Sequence, residues 1–322
     1  MISKKILSSD YLSSAFYDWE NILSWIDTYS KKTSTFKKTV IAKTFEKRDI
    51  FILNLSKGKK KPIVFIVGGE DGKDWMSSAL VLNLFTKLLD RKSNLSMLLT
   101  NFDFYLLPIL NPDGFAFSKK KDRLWSKNRR VSSAQRKCQE GHLAVGVDIA
   151  RNWFLQKSLK KEESQALSYV LNSLAVNMIA FINVKGFGQY ITIPYGNDDI
   201  SNNHDIVMDI LRSTRAKILE KHNISYYIGT TANYLYNFSG NMADWVKIKL
   251  NTPIVYTAYV EDEHTILPHS AQIQNLTTQL IIILNESLLL SQDIYGPLFN
   301  SQENMFLCYI KKIYIVILFI MM

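Results

Sequence analysis

The chain has 322 residues, of which 47% are hydrophobic and 21% are charged, which is typical of a globular protein with one large α/β domain or two small ones. The 39 Lys and Arg residues outnumber the 29 Asp and Glu residues, so the surface carries a net charge of +10 and should attract anions. The excess is spread over short clusters without a recognition motif, which argues against a nucleic-acid site, and the two cysteines form neither a disulfide framework nor a metal-knuckle spacing.

The first part of the chain predicts a helix followed by a hairpin. Residues 17–29 place Trp19 and Ile22 at amphipathic helical spacing with their apolar neighbours. Residues 36–45 and 49–55 then form two predicted strands, joined by a tight polar turn.

The segment from Pro62 to Leu80 is the one on which the rest of the prediction depends. Residues 63–67 form a continuous apolar run that suits a strand buried on both faces, and Gly68 and Gly69 end it. A short acidic loop follows over residues 70–74, and helical spacing begins at Trp75. A loop at the C-terminal end of a sheet strand is where α/β folds usually place chemistry.

The remaining chain continues an alternation of strands and helices. Further strands are predicted at 102–107, 179–184, 226–228 and 254–260, and helices at 162–174, 201–221 and 269–290. The tetrapeptide Asn111-Pro112-Asp113-Gly114 predicts a turn, and residues 119–137 a basic surface loop. Without a repeat or a Pro/Gly-rich linker, we expect a single α/β domain over residues 15–292.

An atypical hydrophobic tail occupies residues 293–322. Lys311 and Lys312 would lie in the middle of a membrane if the last eighteen residues spanned it, so a tail packed on the domain or disordered is favoured over a membrane anchor. The N-terminal residues 1–14 show no signal peptide, whereas six Asn-x-Ser/Thr sequons are compatible with secretion. The localisation therefore stays open.

Four motifs in order resemble the M14-type zinc carboxypeptidases. They are Gly-Gly-Glu-Asp-Gly-Lys-Asp-Trp, then Asn-Pro-Asp-Gly with Arg-Leu-Trp, then Gly-Val-Asp-Ile-Ala-Arg-Asn-Trp, and then Gly-Gln-Tyr-x-x-x-Pro-Tyr-Gly. The resemblance covers residues 17–290. It implies an α/β domain with a central mixed sheet of about eight strands flanked by helices. It also implies hydrolysis of the C-terminal residue of a peptide by a Zn²⁺ ion, held by two His and one Glu.

The resemblance places altered residues at all three metal-ligand positions. The first His and the Glu correspond to Asp71 and Asp74, and the second His corresponds to Lys185. We therefore expect no metal and no cofactor, and propose that the Lys185 ammonium pairs with Asp71, Asp74 or both. The alternatives are a solvated acidic loop, a Ca²⁺ or Mg²⁺ site on the two aspartates, and recruitment of His142 from a neighbouring loop.

The catalytic and substrate-binding positions are also mostly altered. The general-base glutamate corresponds to Tyr259, which is no base at pH 7, and the oxyanion-stabilising arginine corresponds to Ser126. The mobile substrate tyrosine corresponds to Lys247.

Two cationic positions keep their charge. The arginine within the first zinc motif corresponds to Lys73. The arginine that grips the substrate's terminal carboxylate is kept as Arg151, although its Asn partner becomes Ala150. Arg151 either retains this role or forms a structural salt bridge.

Two functions remain open at this point. The first and favoured one is a catalytically inactive carboxypeptidase-like domain that retains binding of a peptide or protein C-terminus. The second is an active metallocarboxypeptidase that removes C-terminal residues with non-standard ligands. No nucleic-acid partner is expected, and whether the protein is an enzyme is left undecided.

Overall fold

The computed structural model describes residues 12, 14–31, 33–90, 94–131, 145–153, 162–197, 199–235, 237–261 and 269–295. Cys138, His142 and the hydrophobic tail from residue 296 onward, for which predictions were made above, lie outside the described residues. The last described helix runs to Tyr295. Within the described residues, we find no helix that combines the length and the apolar character needed to cross a membrane.

The sequence forms one mixed eight-stranded sheet with helices on both of its faces. The strands are β1 (Phe36–Lys43), β2 (Asp49–Leu55), β3 (Ile63–Val67), β4 (Asp103–Leu107), β5 (Met178–Phe187), β6 (Tyr190–Ile193), β7 (Tyr227–Thr230) and β8 (Ile254–Glu261). The helices are α1 (Trp19–Ser30), α2 (Trp75–Leu89), α3 (Leu98–Asn101), α4 (Pro112–Lys120), α5 (Glu162–Leu174), α6 (His204–His222), α7 (Thr231–Tyr234), α8 (Met242–Leu250) and α9 (Ile273–Tyr295). This architecture confirms the predicted α/β class with a central mixed sheet of about eight strands.

The strand order is β1-β2-β4-β3-β5-β8-β6-β7. The four central strands β4, β3, β5 and β8 are mutually parallel, whereas β2 pairs with β4 and β6 with β8 in antiparallel fashion. Parallel strands must be covered on both faces, which explains the uninterrupted apolar runs that mark β3 and β5 in the sequence.

Two hydrophobic clusters cover the two faces of the sheet. On β3, Val64 and Ile66 belong to one cluster, while Ile63, Phe65 and Val67 belong to the other, as the alternation of side chains along a strand requires. Helices α1, α2, α6 and α9 pack on the first face, and α5 and α8 on the second. The site described below lies where this double-sided core ends.

The structure differs from the sequence prediction at several places. Residues 111–114 do not form an isolated turn, because Asn111 caps the N-terminus of α4 by accepting a hydrogen bond from Gly114 N at 2.9 Å. A proline at the first helical position is compatible with a helix start, so the same four residues are compatible both with a turn and with the start of a helix. Strand β6 and helices α3, α7 and α8 were not predicted.

The parallel register brings distant parts of the sequence together at one sheet edge. Val67 at the end of β3 is the partner of Asn183 on β5, and Lys185 on β5 is the partner of Tyr259 on β8. The loop that follows β3 therefore lies beside the last residues of β5 and β8. The predicted strand ended at residue 184, but β5 continues to Phe187, so Lys185 is held within the sheet.

Candidate functional site

The loop after β3 is fixed by close backbone contacts. Gly69 has a φ of +61°, and a Cβ at this position would come within 2.6 Å of Ser78 Oγ and 2.9 Å of Ile109 Cα. Glycine is the residue that adopts this conformation without steric cost. The double glycine thus lets the chain turn sharply and places Glu70 and Asp71 directly above the strand end.

An ion cluster forms around Lys185. Its Nζ lies 2.6 Å from Glu70 Oε2 and 2.8 Å from Asp71 Oδ2. The side chains of Glu70 and Lys185 are 2% and 12% exposed, and that of Asp71 is 22% exposed. The expected pair between Lys185 and Asp71 is therefore present, and Glu70 is a second carboxylate partner that the sequence analysis did not assign.

Asp74 has a different role from the one expected. It caps the N-terminus of α2 by accepting a hydrogen bond from Ser77 N at 3.0 Å, and its Oδ2 accepts one from Gly186 N at 3.0 Å. No ion pair between Asp74 and Lys185 occurs among the described residues. Asp74 instead joins helix α2 to the end of β5.

Burial and the charges within the cluster shift the pKa values of Glu70, Asp71 and Lys185. Burial raises the pKa of Glu70 above its ordinary value and outweighs the attraction of Lys185. Burial also disfavours ionised Asp71, but Lys185 and the Ser126 hydroxyl hold the pKa of that carboxyl below its ordinary value. The pKa of Lys185 is well above its ordinary value, because the charges of Asp71 and Glu70 overcome the effect of its own burial. Lys185 is therefore an ammonium ion at any physiological pH.

The two residues predicted to correspond to catalytic positions, Ser126 and Tyr259, lie next to this cluster. Ser126 donates a hydrogen bond from its hydroxyl to Asp71 Oδ1 at 2.8 Å. Tyr259 packs its ring 4.4 Å from that of Tyr190, and burial raises the pKa of its phenol well above the ordinary value. Its neutral phenol is not a base at neutral pH.

A cavity of about 170 Å³ opens beside the cluster. Its lining includes Glu70, Asn183, Lys185 and Tyr259 from the ends of the strands, together with Arg151. Other wall residues come from the segment around α7 and from α8: Thr231, Leu235, Phe238, Asn241 and Ala243.

Arg151 presents its guanidinium at this cavity. It lies on a short 3-10 turn whose start is capped by Asp148, which accepts a hydrogen bond from Ala150 N at 3.0 Å. The guanidinium lies 4.9 Å from the centre of the Phe238 ring, and Nε is 3.8 Å from Asp148 Oδ2. Because the Arg151 side chain is 44% exposed, this ion pair contributes little to stability. The ion pair with Asp148 therefore does little to explain why an arginine occupies this position. Its place in the cavity lining suits the binding of a ligand carboxylate.

The two other predicted substrate-binding cations do not line the cavity. Lys73 is exposed, and its carbonyl oxygen accepts a hydrogen bond from Arg123 at 2.7 Å. Lys247 is buried, and its Nζ donates to Asn203 Oδ1 at 2.5 Å and to the Thr252 carbonyl at 3.2 Å. The structure therefore separates Lys247 and Lys73 from Arg151.

Glu70 and Asn183 are the residues of this site that sequence reasoning missed. Asn183 donates from Nδ2 to Glu70 Oε2 at 3.3 Å, and the residues are only 3% and 4% exposed. Two signals were available in the sequence. Asn183 is a polar residue inside an apolar strand, and Glu70 is an acidic residue directly after Gly68 and Gly69. Neither signal shows that the two residues meet, because 113 positions separate them.

The fold is an α/β domain with a mixed eight-stranded sheet, and the candidate site lies at the ends of its parallel strands. The family model for zinc carboxypeptidases of the M14 peptidases matches residues 22–281. This match covers most of the chain, and the chain therefore belongs to the zinc carboxypeptidase family.

Individual proteins agree with this assignment. Carboxypeptidase O from Bos taurus is 26% identical over 302 residues, covering 85% of this chain and 78% of that protein. A zinc carboxypeptidase from Simulium vittatum is 24% identical over 263 residues, covering 75% of this chain and 84% of that protein. Bovine thrombin-activatable fibrinolysis inhibitor, solved with a tick carboxypeptidase inhibitor, has the same fold, with a TM-score of 0.78 and 23% identity over 87% of this chain and 99% of that one.

Family membership corrects one prediction from the sequence. We expected no cofactor, but the chain belongs to a zinc carboxypeptidase family and is similar to a zinc carboxypeptidase, so the family points to zinc. The side chains described here, however, do not fit a zinc ion in this arrangement. The carboxylates of Asp71 and Glu70 already bind the Lys185 ammonium, which has no lone pair to give to a metal. We therefore derive no catalytic step through a metal.

Proposed function

We propose that this chain is a zinc-carboxypeptidase-family domain that does not hydrolyse peptides and instead binds the carboxylate end of a peptide or protein. The observation that carries the proposal is the Lys185 ammonium, 2.6 Å from Glu70 and 2.8 Å from Asp71, at a position where the resemblance implies a metal ligand. A cation in this place competes directly with a metal ion for the same carboxylates.

The altered catalytic positions support the same proposal. A phenol at Tyr259 cannot take a proton from an attacking water at neutral pH, and the loss of a general base alone typically slows such a reaction by about 10²–10⁴-fold. Ser126 contributes a hydroxyl where an arginine would stabilise the oxyanion charge. Each change lowers the rate independently of the metal.

Binding is supported by what remains at the cavity. Arg151 offers a bidentate guanidinium, which is well suited to a carboxylate. Leu235, Phe238 and Ala243 offer apolar surface to the side chain of a terminal residue.

The test is hydrolysis of N-acylated dipeptides by the purified chain, with and without added Zn²⁺, beside an active carboxypeptidase of the family as positive control. We expect release of the terminal residue to be at least about a thousandfold slower than in the control, with or without zinc. Zinc is included because the family points to it. Zinc-dependent release that a chelator abolishes would contradict the proposal and favour an active carboxypeptidase with non-standard ligands.

Binding is tested separately by titrating N-acetyl-leucine and a short peptide into the chain. We expect both to bind, and the variant Arg151→Gln to weaken both at least about tenfold, since a charge-assisted pair contributes about 1.5–3 kcal/mol. Arg212→Gln is the matched control, because Arg212 is an exposed arginine on α6 that pairs only with an exposed aspartate in the described residues. Equal affinities of the Arg151→Gln variant and the unmodified chain would contradict a role for Arg151.

A further inference from the structure

The cavity beside the ion cluster contains buried polar atoms without partners. Glu70 Oε1 and Asn183 Oδ1 are acceptors on side chains that are almost fully buried, and neither has a hydrogen-bond partner in the described part of the chain. Asn241 is only partly buried, but its Nδ2 is a buried donor atom that also has no hydrogen-bond partner in the described part of the chain. All three residues line the same cavity. Since buried polar groups in folded proteins are nearly always paired, these atoms point to a ligand with complementary groups.

The charges in the cluster are also unequal. Glu70 and Asp71 both face the single ammonium of Lys185, so the cluster has more carboxylate than cationic groups. A second cationic group beside Glu70 would remove this imbalance. Arg151, which carries a positive charge, and Asn241, which has the unpartnered donor, line the same cavity. The cavity lining therefore contains acceptors with negative charge and also donors with positive charge.

The size of the cavity limits what can enter. A volume of about 170 Å³ corresponds to about six water molecules at about 30 Å³ each, which suits a small organic molecule. The apolar wall formed by Leu235, Phe238 and Ala243 suits an uncharged side chain.

We propose that this cavity binds a free α-amino acid with an uncharged side chain. The ammonium group donates to Glu70 Oε1 and Asn183 Oδ1, and the carboxylate accepts from Arg151 and Asn241 Nδ2. This assignment rests on the proposed function, because it places the ligand carboxylate at Arg151, and it adds that the ligand carries a free amino group.

The free amino group distinguishes this ligand from the end of a peptide. The nitrogen of a C-terminal residue in a peptide is an amide with one N–H and no charge. A free amino acid offers three donors and a positive charge, which satisfies both unpartnered acceptors and balances the excess carboxylate.

The experiment is calorimetric titration of the full chain with leucine, N-acetyl-leucine and leucinamide. We expect leucine to bind at least tenfold more tightly than N-acetyl-leucine, which lacks the ammonium, and than leucinamide, which lacks the carboxylate. If N-acetyl-leucine binds as tightly as leucine, this inference is overturned while the proposed binding of peptide C-termini stands. If neither leucine nor N-acetyl-leucine binds, both this inference and the proposed binding of peptide C-termini are overturned.

Variants locate the two ends of the ligand. Glu70→Gln should weaken leucine at least tenfold more than it weakens N-acetyl-leucine, whereas Arg151→Gln should weaken both compounds to a similar extent. Arg151 is exposed, so its variant will fold even if Glu70→Gln does not, and Arg212→Gln is again the control. Unchanged binding of leucine to a folded Glu70→Gln variant, or to Arg151→Gln, would overturn the assignment.

Discussion

At the scale of single residues, Lys185 is held by opposite charges on two carboxylates. Ion pairs of this kind offset the cost of removing the charges from water only while every member is present. Removing the ammonium leaves Glu70 and Asp71 close together, with only hydrogen bonds from Asn183 and Ser126 among the described residues to stabilise them.

The variant Lys185→Met should therefore lower the free energy of unfolding by about 2–4 kcal/mol. Denaturant unfolding of the purified variant measures this change. Lys37→Met is the matched control, because Lys37 is exposed on β1 and its removal should change stability by less than about 0.5 kcal/mol.

The loss in Lys185→Met should be recovered in part when the carboxylates are also neutralised. In the triple variant Lys185→Met, Glu70→Gln, Asp71→Asn, we expect at least about half of the lost stability to return, since no unpaired charge remains buried. The same unfolding measurement applies. A triple variant less stable than Lys185→Met would show that the cluster is not stabilised by charge.

At the scale of elements, the N-terminus of α2 is joined to the end of β5 through Asp74. This side chain accepts hydrogen bonds from Ser77 N and Gly186 N, so it acts as a helix cap and as a link between two elements. The helix that follows carries buried residues along most of its length and packs in the main core. The cap therefore helps to fix the loop that holds Glu70 and Asp71.

Replacing Asp74 by Ala should lower stability by about 1–2 kcal/mol, because a helix cap and a buried acceptor are lost. Asp74→Asn should cost about half as much, since its one carbonyl oxygen can still accept from Ser77 N. Thermal unfolding of both variants measures the difference. Equal losses in the two variants would contradict the capping role.

At the scale of the whole molecule, the sheet separates two hydrophobic cores. On the side of the smaller core, the buried residue Glu163 joins helix α5 to the loop that contains Asn128. Glu163 on α5 is completely buried, and Asn128 Nδ2 lies 3.2 Å and 3.1 Å from its two oxygens. Burial raises the pKa of Glu163 from 4.5 to about 7. Between these two pH values the folded protein keeps a proton that the unfolded chain releases, so this group makes stability fall as the pH rises through the window.

Glu163→Gln should remove this dependence, because glutamine resembles the protonated acid. At pH 8 we expect the variant to be about 2–3 kcal/mol more stable than the unmodified chain, and near pH 4 the two should be similar. Unfolding curves at several pH values measure the effect. Glu220→Gln, at an exposed position on α6, is the control and should show no such gain.

Much of the sheet could be predicted from the sequence because its central strands are apolar runs ended by glycine or by polar residues. Strand β6 and helix α8 were missed because each directly follows a glycine-containing segment, Gly188-Gln189 and Gly240-Asn241, that is typical of a loop. The turn predicted at residues 111–114 became a helix start, since Asn followed by Pro is compatible with both and only the packing of α4 decides between them.

For the site, residue types could be predicted from the sequence, but the contacts between residues distant in the sequence could not. The sequence by itself predicted the family, which the family match confirms. From residue type and position it also predicted altered site positions at Asp71, Asp74, Lys185 and Tyr259 and a retained arginine at Arg151, and these correspondences stay predictions. Only the tertiary structure decided which groups meet. The register of β3 and β5 brings Glu70, Asn183 and Lys185 into contact and places Gly186 N beside Asp74. Lys247, on α8, donates instead to Asn203 and to the Thr252 carbonyl, away from the cavity. Contacts between residues more than a hundred positions apart depend on the packing of the whole sheet, which no local pattern specifies.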